Sequence, residues 1–286
     1  MKNYQTQLQH LIEEALKEDI GSGDYSSLCC IPFEQKGTAI LNVKEDCIIA
    51  GIEVAKEIFN YVEKDIVFIK YLNDGDKVKA GDIAFEVKAT IQTILKCERL
   101  LLNSMQRMSG IATLTQQYVS LIANYNTQIL DTRKSTPNFR LLEKEAVRIG
   151  GGKNHRFGLF DMIMLKDNHI DYCGGISKAI ELAWSYKQKN KIEIKIEIET
   201  RNLDDVNEVC NNGFNIVDRI MLDNFSPELI IQALKIIDKK FETEASGGIN
   251  INNIKSYAAT GVDYISVGAL IHQAKSVDLS LKAKMI

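Results

Sequence analysis

From about residue 124 onward the chain repeats one unit: a short apolar run, a polar turn and a helix-patterned stretch. The apolar runs are 128–132, 161–165, 192–198, 219–222, 242–245 and 264–267, and helical patterns at 176–189, 203–211, 227–239 and 251–260 separate most of them. Several runs lack polar alternation, as strands covered on both faces do. Strand–helix repetition with short links dictates βαβ units with right-handed crossovers. Such units either close toward a barrel or stay an open sheet, and the positions of reactive residues separate the two. Arg133 and Lys134 follow the first run, and Lys166 and Asp167 the second. Glu199 closes the third, Asp223 the fourth, Ser246-Gly247-Gly248 the fifth and Gly268-Ala269 the sixth. Polar groups at the ends of many consecutive strands ring one mouth, as in a barrel, whereas an open sheet gathers them at one switch point. An α/β barrel, incomplete or with strands the pattern hides, is therefore expected.

Residues 1–109 have a different rhythm and read as a separate α/β domain. Residues 37–51 pattern as a strand pair, 51–62 as a helix, and 66–71 and 77–88 as strands joined by Asn73-Asp74-Gly75-Asp76 turn chemistry. A helical stretch from about 94 to 123 carries Arg99 near its start and Gly110 inside. Glycine weakens a helix interior, so a break or domain junction is expected at Ser109-Gly110, with the barrel domain running over 110–272.

Composition excludes several function classes. The 286 residues carry a net charge of −3 with 45% hydrophobic and 26% charged residues, as in a globular protein without the basic surplus of a nucleic-acid binder. No run approaches the roughly 20 apolar residues of a membrane span. The start has no h-region of a secretory signal; Leu8, Leu11, Ile12, Ala15 and Leu16 instead make one face of a surface helix. Cys29, Cys30, Cys47, Cys97, Cys173 and Cys210 form no CxxC and no zinc spacing, which points to a reducing, cytoplasmic compartment and no structural metal.

The chemistry concentrates in three places. Arg133, Lys134, Arg140, Lys153, His155 and Arg156, joined by Lys166, form a cation excess within a net acidic chain. Set among glycines rather than along a helix face, these cations suit a ligand with several negative charges. Gly150-Gly151-Gly152-Lys153 is not a Walker loop: Val147 stands where its first glycine belongs, and Asn154 follows the lysine. The glycine loops at 246–248 and 268–269, one of them opening a helix, suit a phosphate through bare N–H groups and a helix dipole. Glu199 and Asp223 at strand ends suit ribose hydroxyls, Mg²⁺ or a developing cation, whereas Glu197 reads as part of a structural salt-bridge network with nearby lysines. Of the histidines, His155 is the ligand candidate, His169 an orienter of its loop, and His10 and His272 carry no assignment.

The stretches EDIGSGDYSS, ERLLLNSMQRMSGIAT, DTRKSTPNFR, GGGKNHRFGLFDMIMLKDNH, LDNF, EASGGI and SVGAL, in this order, carry a resemblance that covers nearly the whole chain. The sequence resembles the quinolinate phosphoribosyltransferases. One departure is Ser135-Thr136-Pro137-Asn138-Phe139 in place of the family's Thr-Thr-Pro-Gly-Leu; asparagine tolerates the left-handed backbone a glycine would supply. The resemblance implies a type II phosphoribosyltransferase fold: an N-terminal α/β sandwich, an incomplete barrel of roughly seven strands, and a tail over 273–286 packing back on the N-terminal domain. It implies a homodimer, with hexamers left open, in which Arg99 reaches into the partner's site. It also implies that Thr132, Arg133, Lys134, His155, Arg156 and Lys166 hold quinolinate or a nearby phosphate. Glu199 and Asp223 would address the ribose and Mg²⁺ of phosphoribosyl pyrophosphate, while Ser246, Gly247, Gly248, Gly268 and Ala269 would cradle its 5-phosphate. By this resemblance Lys134, Lys166, Glu199 and Asp223 are the catalytic set.

Three other readings compete. A molybdate-transport-associated paralogue would keep the fold and take another aromatic acceptor, although the cation set favours a dicarboxylate. A phosphate-binding barrel lyase would use Lys166 as a Schiff-base amine. A non-catalytic binding protein would use the cations as a docking patch.

Overall fold

The computed structural model describes residues 4–284, which group into two compact units. The first gathers 4–116, 135–151 and 270–284; the second gathers 117–134 and 152–269. In chain order come helices α1 (Tyr4–Ile20) and α2 (Tyr25–Cys30), strands β1 (Lys36–Val43) and β2 (Cys47–Ile48), and helix α3 (Ile52–Val62). Strands β3 (Val67–Lys70), β4 (Lys77–Val78) and β5 (Ile83–Thr90) lead into the long helix α4 (Ile91–Leu121). Then follow β6 (Gln128–Leu130), α5 (Arg140–Ile149), β7 (Met162–Leu165), α6 (Asp167–Cys173), α7 (Ile176–Asn190), β8 (Lys195–Thr200) and α8 (Leu203–Asn212). The chain ends through β9 (Arg219–Asp223), α9 (Pro227–Ile237), β10 (Glu242–Ser246), α10 (Ile254–Ala258), β11 (Tyr264–Ser266), α11 (Ala269–His272) and β12 (Leu279–Ala283).

The first unit is built on an antiparallel sheet in the order β12-β1-β5-β3. Strand β1 buries Ala39, Leu41 and Val43 on one face by period-two alternation, and the late strand β12 pairs with it from Ala39↔Ala283 to Val43↔Leu279. Helix α1 buries Leu8, Ile12 and Leu16, one stripe at helical spacing.

Helix α4 runs unbroken through Gly110, contrary to the expected break. The glycine serves close approach instead: a Cβ there would lie 1.9 Å from the Lys275 carbonyl oxygen. The same helix anchors that segment, with Arg107 donating to the Ala274 and Ile271 carbonyls and the Gln106 carbonyl accepting from Val277 N–H.

The second unit holds six strands, all parallel, in the order β6-β11-β10-β9-β8-β7. Strands β7 to β11 are successive neighbours, and β6 joins beside β11, as in a barrel that does not close. Among the described residues β6 and β7 do not pair; beyond β6 stands only a single parallel bridge, Leu130↔Lys153. The strand count is thus six rather than about seven, with one residue holding the remaining position. Ile196, Ile198, Ile220, Leu222, Ala245 and Ile265 are fully buried, the signature of strands covered on both sides. Among the described residues no helix is long and apolar enough to cross a membrane.

Candidate active site

Parallel pairing in near-common register brings the C-terminal strand ends of the second unit to one mouth. Ser246 pairs with Asp223, Thr200 with Leu222, Leu165 with Ile198 and Ser266 with Leu130. The mouth therefore carries Thr132, Arg133, Lys134, Lys166, Glu199, Asp223, Ser246 and Gly268.

Its cationic side is held by Asp131, a fully buried carboxylate that sequence reasoning passed over inside the DTRK motif. One oxygen accepts from the Asn154 amide at 2.7 Å and the other from the His155 N–H at 2.8 Å. Backbone bonds from Lys153 N–H to Ile129 and from Asp131 N–H to Lys153 complete the attachment. The loop carrying Lys153, His155 and Arg156 is thereby fixed against the end of β6. Arg156 is buried, and its guanidinium pKa is lowered by that burial and by the neighbouring charge of Arg133. Two like charges left facing each other repel, and an anion bound between them removes that cost. Arg133 and Lys134 are exposed, with Lys134 N–H donating to the Thr132 hydroxyl in a local turn. Asn138 adopts φ 61°, so this asparagine does occupy the left-handed backbone.

The acidic side centres on Glu199. Burial raises its pKa, Lys166 lowers it from 3.5 Å away, and the charges of Asp223 and Asp167 raise it again. Lys166 opens helix α6, where its N–H donates to the His169 ring, so His169 orients the loop as a cap. Next to Asp223, Gly247 has φ +94°, and a Cβ there would lie 2.2 Å from the Asn224 side-chain oxygen. Gly248 has φ +63°, so the Ser246–Gly248 turn presents bare backbone. The helix-dipole expectation for these loops is corrected. Helix α10 spans only Ile254–Ala258, and α11 only Ala269–His272. The Gly248 carbonyl is capped by the Asn250 and Asn253 amides. Short helices contribute little field, so any phosphate there rests on loop N–H groups.

His155 is placed differently from the ligand contact expected. Its side chain is 6% exposed, with Nε2 3.0 Å from Glu197 and 3.4 Å from Glu244, while Nδ1 accepts from the Arg156 N–H at 2.7 Å. Both ring nitrogens thus face protein groups. Burial pulls the ring toward neutrality, but the two carboxylates outweigh it and lift its pKa to about 9. Burial, with the charge of Glu244, also raises the Glu197 pKa. Glu197 lies in an ion cluster, with His155 and Arg219 as partners instead of lysines.

Arg99 is exposed on helix α4 of the first unit, and Arg140 opens α5 there, donating to Ser135. A large cleft of about 890 Å³ lies at the opposite, N-terminal ends of the strands. Several of its charges already have structural tasks: Lys195 pairs with Glu242, Asp218 accepts from Ile196 N–H, and Asp263 accepts from Thr243. The mouth, where unlike charges converge on glycine loops, is the better candidate.

Known proteins are similar over nearly the whole length. The family model described as quinolinate phosphoribosyl transferase, N-terminal domain, matches residues 24–109, and its C-terminal counterpart matches 111–282. The mitochondrial quinolinate phosphoribosyltransferase [decarboxylating] 2b of Nicotiana tabacum is 43% identical over 96% of this chain and 82% of its own. A probable nicotinate-nucleotide pyrophosphorylase [carboxylating] of Bacillus subtilis is 40% identical over 96% of this chain and 93% of its own. Among solved structures, NadC from Streptococcus pyogenes superposes with a TM-score of 0.89 at 38% identity, covering 98% of both chains.

Proposed function

The chain belongs to the quinolinate phosphoribosyltransferase family, and on that premise we propose that it joins quinolinate to phosphoribosyl pyrophosphate with loss of CO₂, in NAD biosynthesis. The products are nicotinate mononucleotide, pyrophosphate and CO₂. The observation that carries this reading is the convergence at one mouth of the cations Arg133, Lys134 and Lys166 with Glu199, Asp223 and the Ser246–Gly248 turn.

The quinolinate nitrogen attacks the anomeric carbon as the bond to pyrophosphate breaks. The ribose carbon gathers positive charge in that transition state, and the Glu199 and Asp223 carboxylates stabilise it. The positive charge of the new pyridinium ring then stabilises the carbanion left on C2 when its carboxylate departs as CO₂, and a proton adds to that carbon. No protein nucleophile is required; holding two polyanions in reacting geometry supplies the acceleration. Lys166, Lys134 and Thr132 complete the anion seat, and the Ser246–Gly248 and Gly268-Ala269 loops take the 5-phosphate. Glu199 and Asp223 offer hard oxygen donors close enough for each charge to act on the other, which fits Mg²⁺ shared with substrate phosphates. When bound, Mg²⁺ neutralises the leaving pyrophosphate.

The working unit in this reading is a homodimer. Arg99, exposed on α4, is donated to the partner's mouth, and the protein works in a reducing, cytoplasmic compartment. Purified protein given quinolinate, phosphoribosyl pyrophosphate and Mg²⁺ is expected to form nicotinate mononucleotide and CO₂ in equal amounts. A folded protein that forms neither product overturns the reading.

A further inference from the structure

The interior of the second unit holds a charge cluster with no task in the reaction as drawn. Glu197 on β8, Arg219 on β9 and Glu244 on β10 project inward from adjacent strands, and His155 enters from the loop held by Asp131. The two glutamate side chains have no exposed surface, and Arg219 is 8% exposed. Arg219 Nη1 lies 2.9 Å from a Glu244 oxygen and 4.0 Å from a Glu197 oxygen. The same guanidinium grips Glu242 at 3.1 Å and stands 4.1 Å over the Tyr264 ring, so it is fixed from several sides. A histidine with two carboxylates is also a donor set that metals use. Here Arg219 supplies a positive charge to the same carboxylates from within the protein.

Such a cluster is an expensive filling for a barrel. Aliphatic side chains would occupy the space without the desolvation of four ionisable groups. Glu197 Oε1 is buried without a hydrogen-bond partner among the described residues, a further cost that stability alone does not explain. The cluster meets the mouth through His155. With Nε2 facing the carboxylates at 3.0 and 3.4 Å and Nδ1 accepting from the Arg156 N–H, the ring contacts the peptide from which the Arg156 side chain departs. Glu197 acts on Arg156 through space as well, its charge partly offsetting the burial and the repulsion from Arg133.

We propose that Glu197, Glu244 and Arg219 are positioning residues of the dicarboxylate seat, acting through the His155 ring to keep the Arg156 guanidinium beside Arg133. The proposal rests on the quinolinate reading above. It assigns the cluster a role in recognising the acceptor and none in holding phosphoribosyl pyrophosphate.

The test is calorimetric titration of the full-length protein with quinolinate and, separately, with phosphoribosyl pyrophosphate and Mg²⁺. Wild type is compared with Glu197→Gln and Glu244→Gln, which keep shape and remove charge. The expected result is a quinolinate Kd raised about tenfold or more, with phosphoribosyl pyrophosphate affinity within about twofold and the melting transition retained. Quinolinate affinity unchanged in both variants overturns the proposal. Equal loss for both ligands, or loss tracking a lowered melting temperature, also overturns it, because a merely structural cluster would behave that way. Should the glutamine variants fail to fold, Glu197→Asp keeps the charge while shortening its reach and is scored by the same ratio. A wild-type protein that binds no quinolinate is a separate outcome: it overturns the function reading, and this proposal with it.

Discussion

Gly110→Ala is the perturbation whose sign the structure reverses. In the interior of a helix such as α4 the substitution ordinarily stabilises by about 1 kcal/mol, because alanine loses less backbone entropy. Here the new methyl would stand 1.9 Å from the Lys275 carbonyl oxygen and 2.9 Å from its carbon. Ordinary van der Waals contact begins at 3.4 Å, so the 275–276 backbone must retreat by about 1.5 Å. That segment is tied to the same helix by Val277 N–H to Gln106, Arg107 to Ala274 and Gln106 to Leu279. Losing one or two of these bonds costs about 0.5–1.5 kcal/mol each. Overpacking strain adds about 1–3 kcal/mol. After the helix-propensity gain, a net destabilisation of about 0.5–5 kcal/mol is expected. Urea unfolding followed by far-UV circular dichroism, with linear extrapolation, reads it directly. A midpoint equal to or above that of wild type would refute the close-approach account and leave Gly110 as an ordinary helix glycine.

Two further outcomes follow from buried charges. Glu143, fully buried on α5, accepts from Arg107 Nε at 3.0 Å and Nη2 at 2.9 Å, and from the Thr136 N–H and hydroxyl. Glu143→Ala removes the counter-charge of the Arg107 guanidinium, leaving it only the Ala274 and Ile271 carbonyls, and should cost about 3–5 kcal/mol in urea unfolding; a loss below about 1 kcal/mol would mean the pair is effectively solvated. The His155–Glu197 pair makes a pH prediction. A histidine pKa raised from 6.5 to about 9 gives stability that is fully present below about pH 6.5 and lost as pH rises through about 9. The urea midpoint should therefore fall more between about pH 7 and about pH 10 in wild type than in Glu197→Gln. Parallel pH curves for the two proteins would contradict this.

Much of the second unit was legible locally. All six strand runs of the sequence became β6 to β11, because apolar runs punctuated by glycine and polar turns have few alternatives to buried parallel strands. The positions of Lys166, Glu199, Asp223 and Ser246 at strand ends followed from the same pattern, since parallel strands bring their C-terminal ends to one mouth. Asn138, standing where the family has glycine, was readable as a left-handed turn residue and has φ 61°.

The orientation of His155 was not legible. A histidine among cations reads as a ligand contact until the barrel interior is seen to hold Glu197, Glu244 and Arg219. A signal for the cluster was present in the alternation of charges, Lys195/Glu197/Glu199, Arg219/Asp223 and Glu242/Glu244, along otherwise apolar strands. Period two assigns such residues to one face, but only the pairing of neighbouring strands shows that those faces meet. The phosphate loops differ in the same way: glycine pairs are visible in sequence, while the shortness of α10 and α11 depends on where packing ends them.

The sequence by itself determined element types, the strand-end placement of the reactive groups and the family. Those depend on local periodicity and on motifs contiguous in the chain. Tertiary structure alone decided what Gly110 is for, how Asp131 fixes the 153–156 loop and which way His155 faces. Each depends on an atom far away in sequence, the Lys275 carbonyl in one case and the Glu244 carboxylate in another, and no local pattern encodes a distance between them.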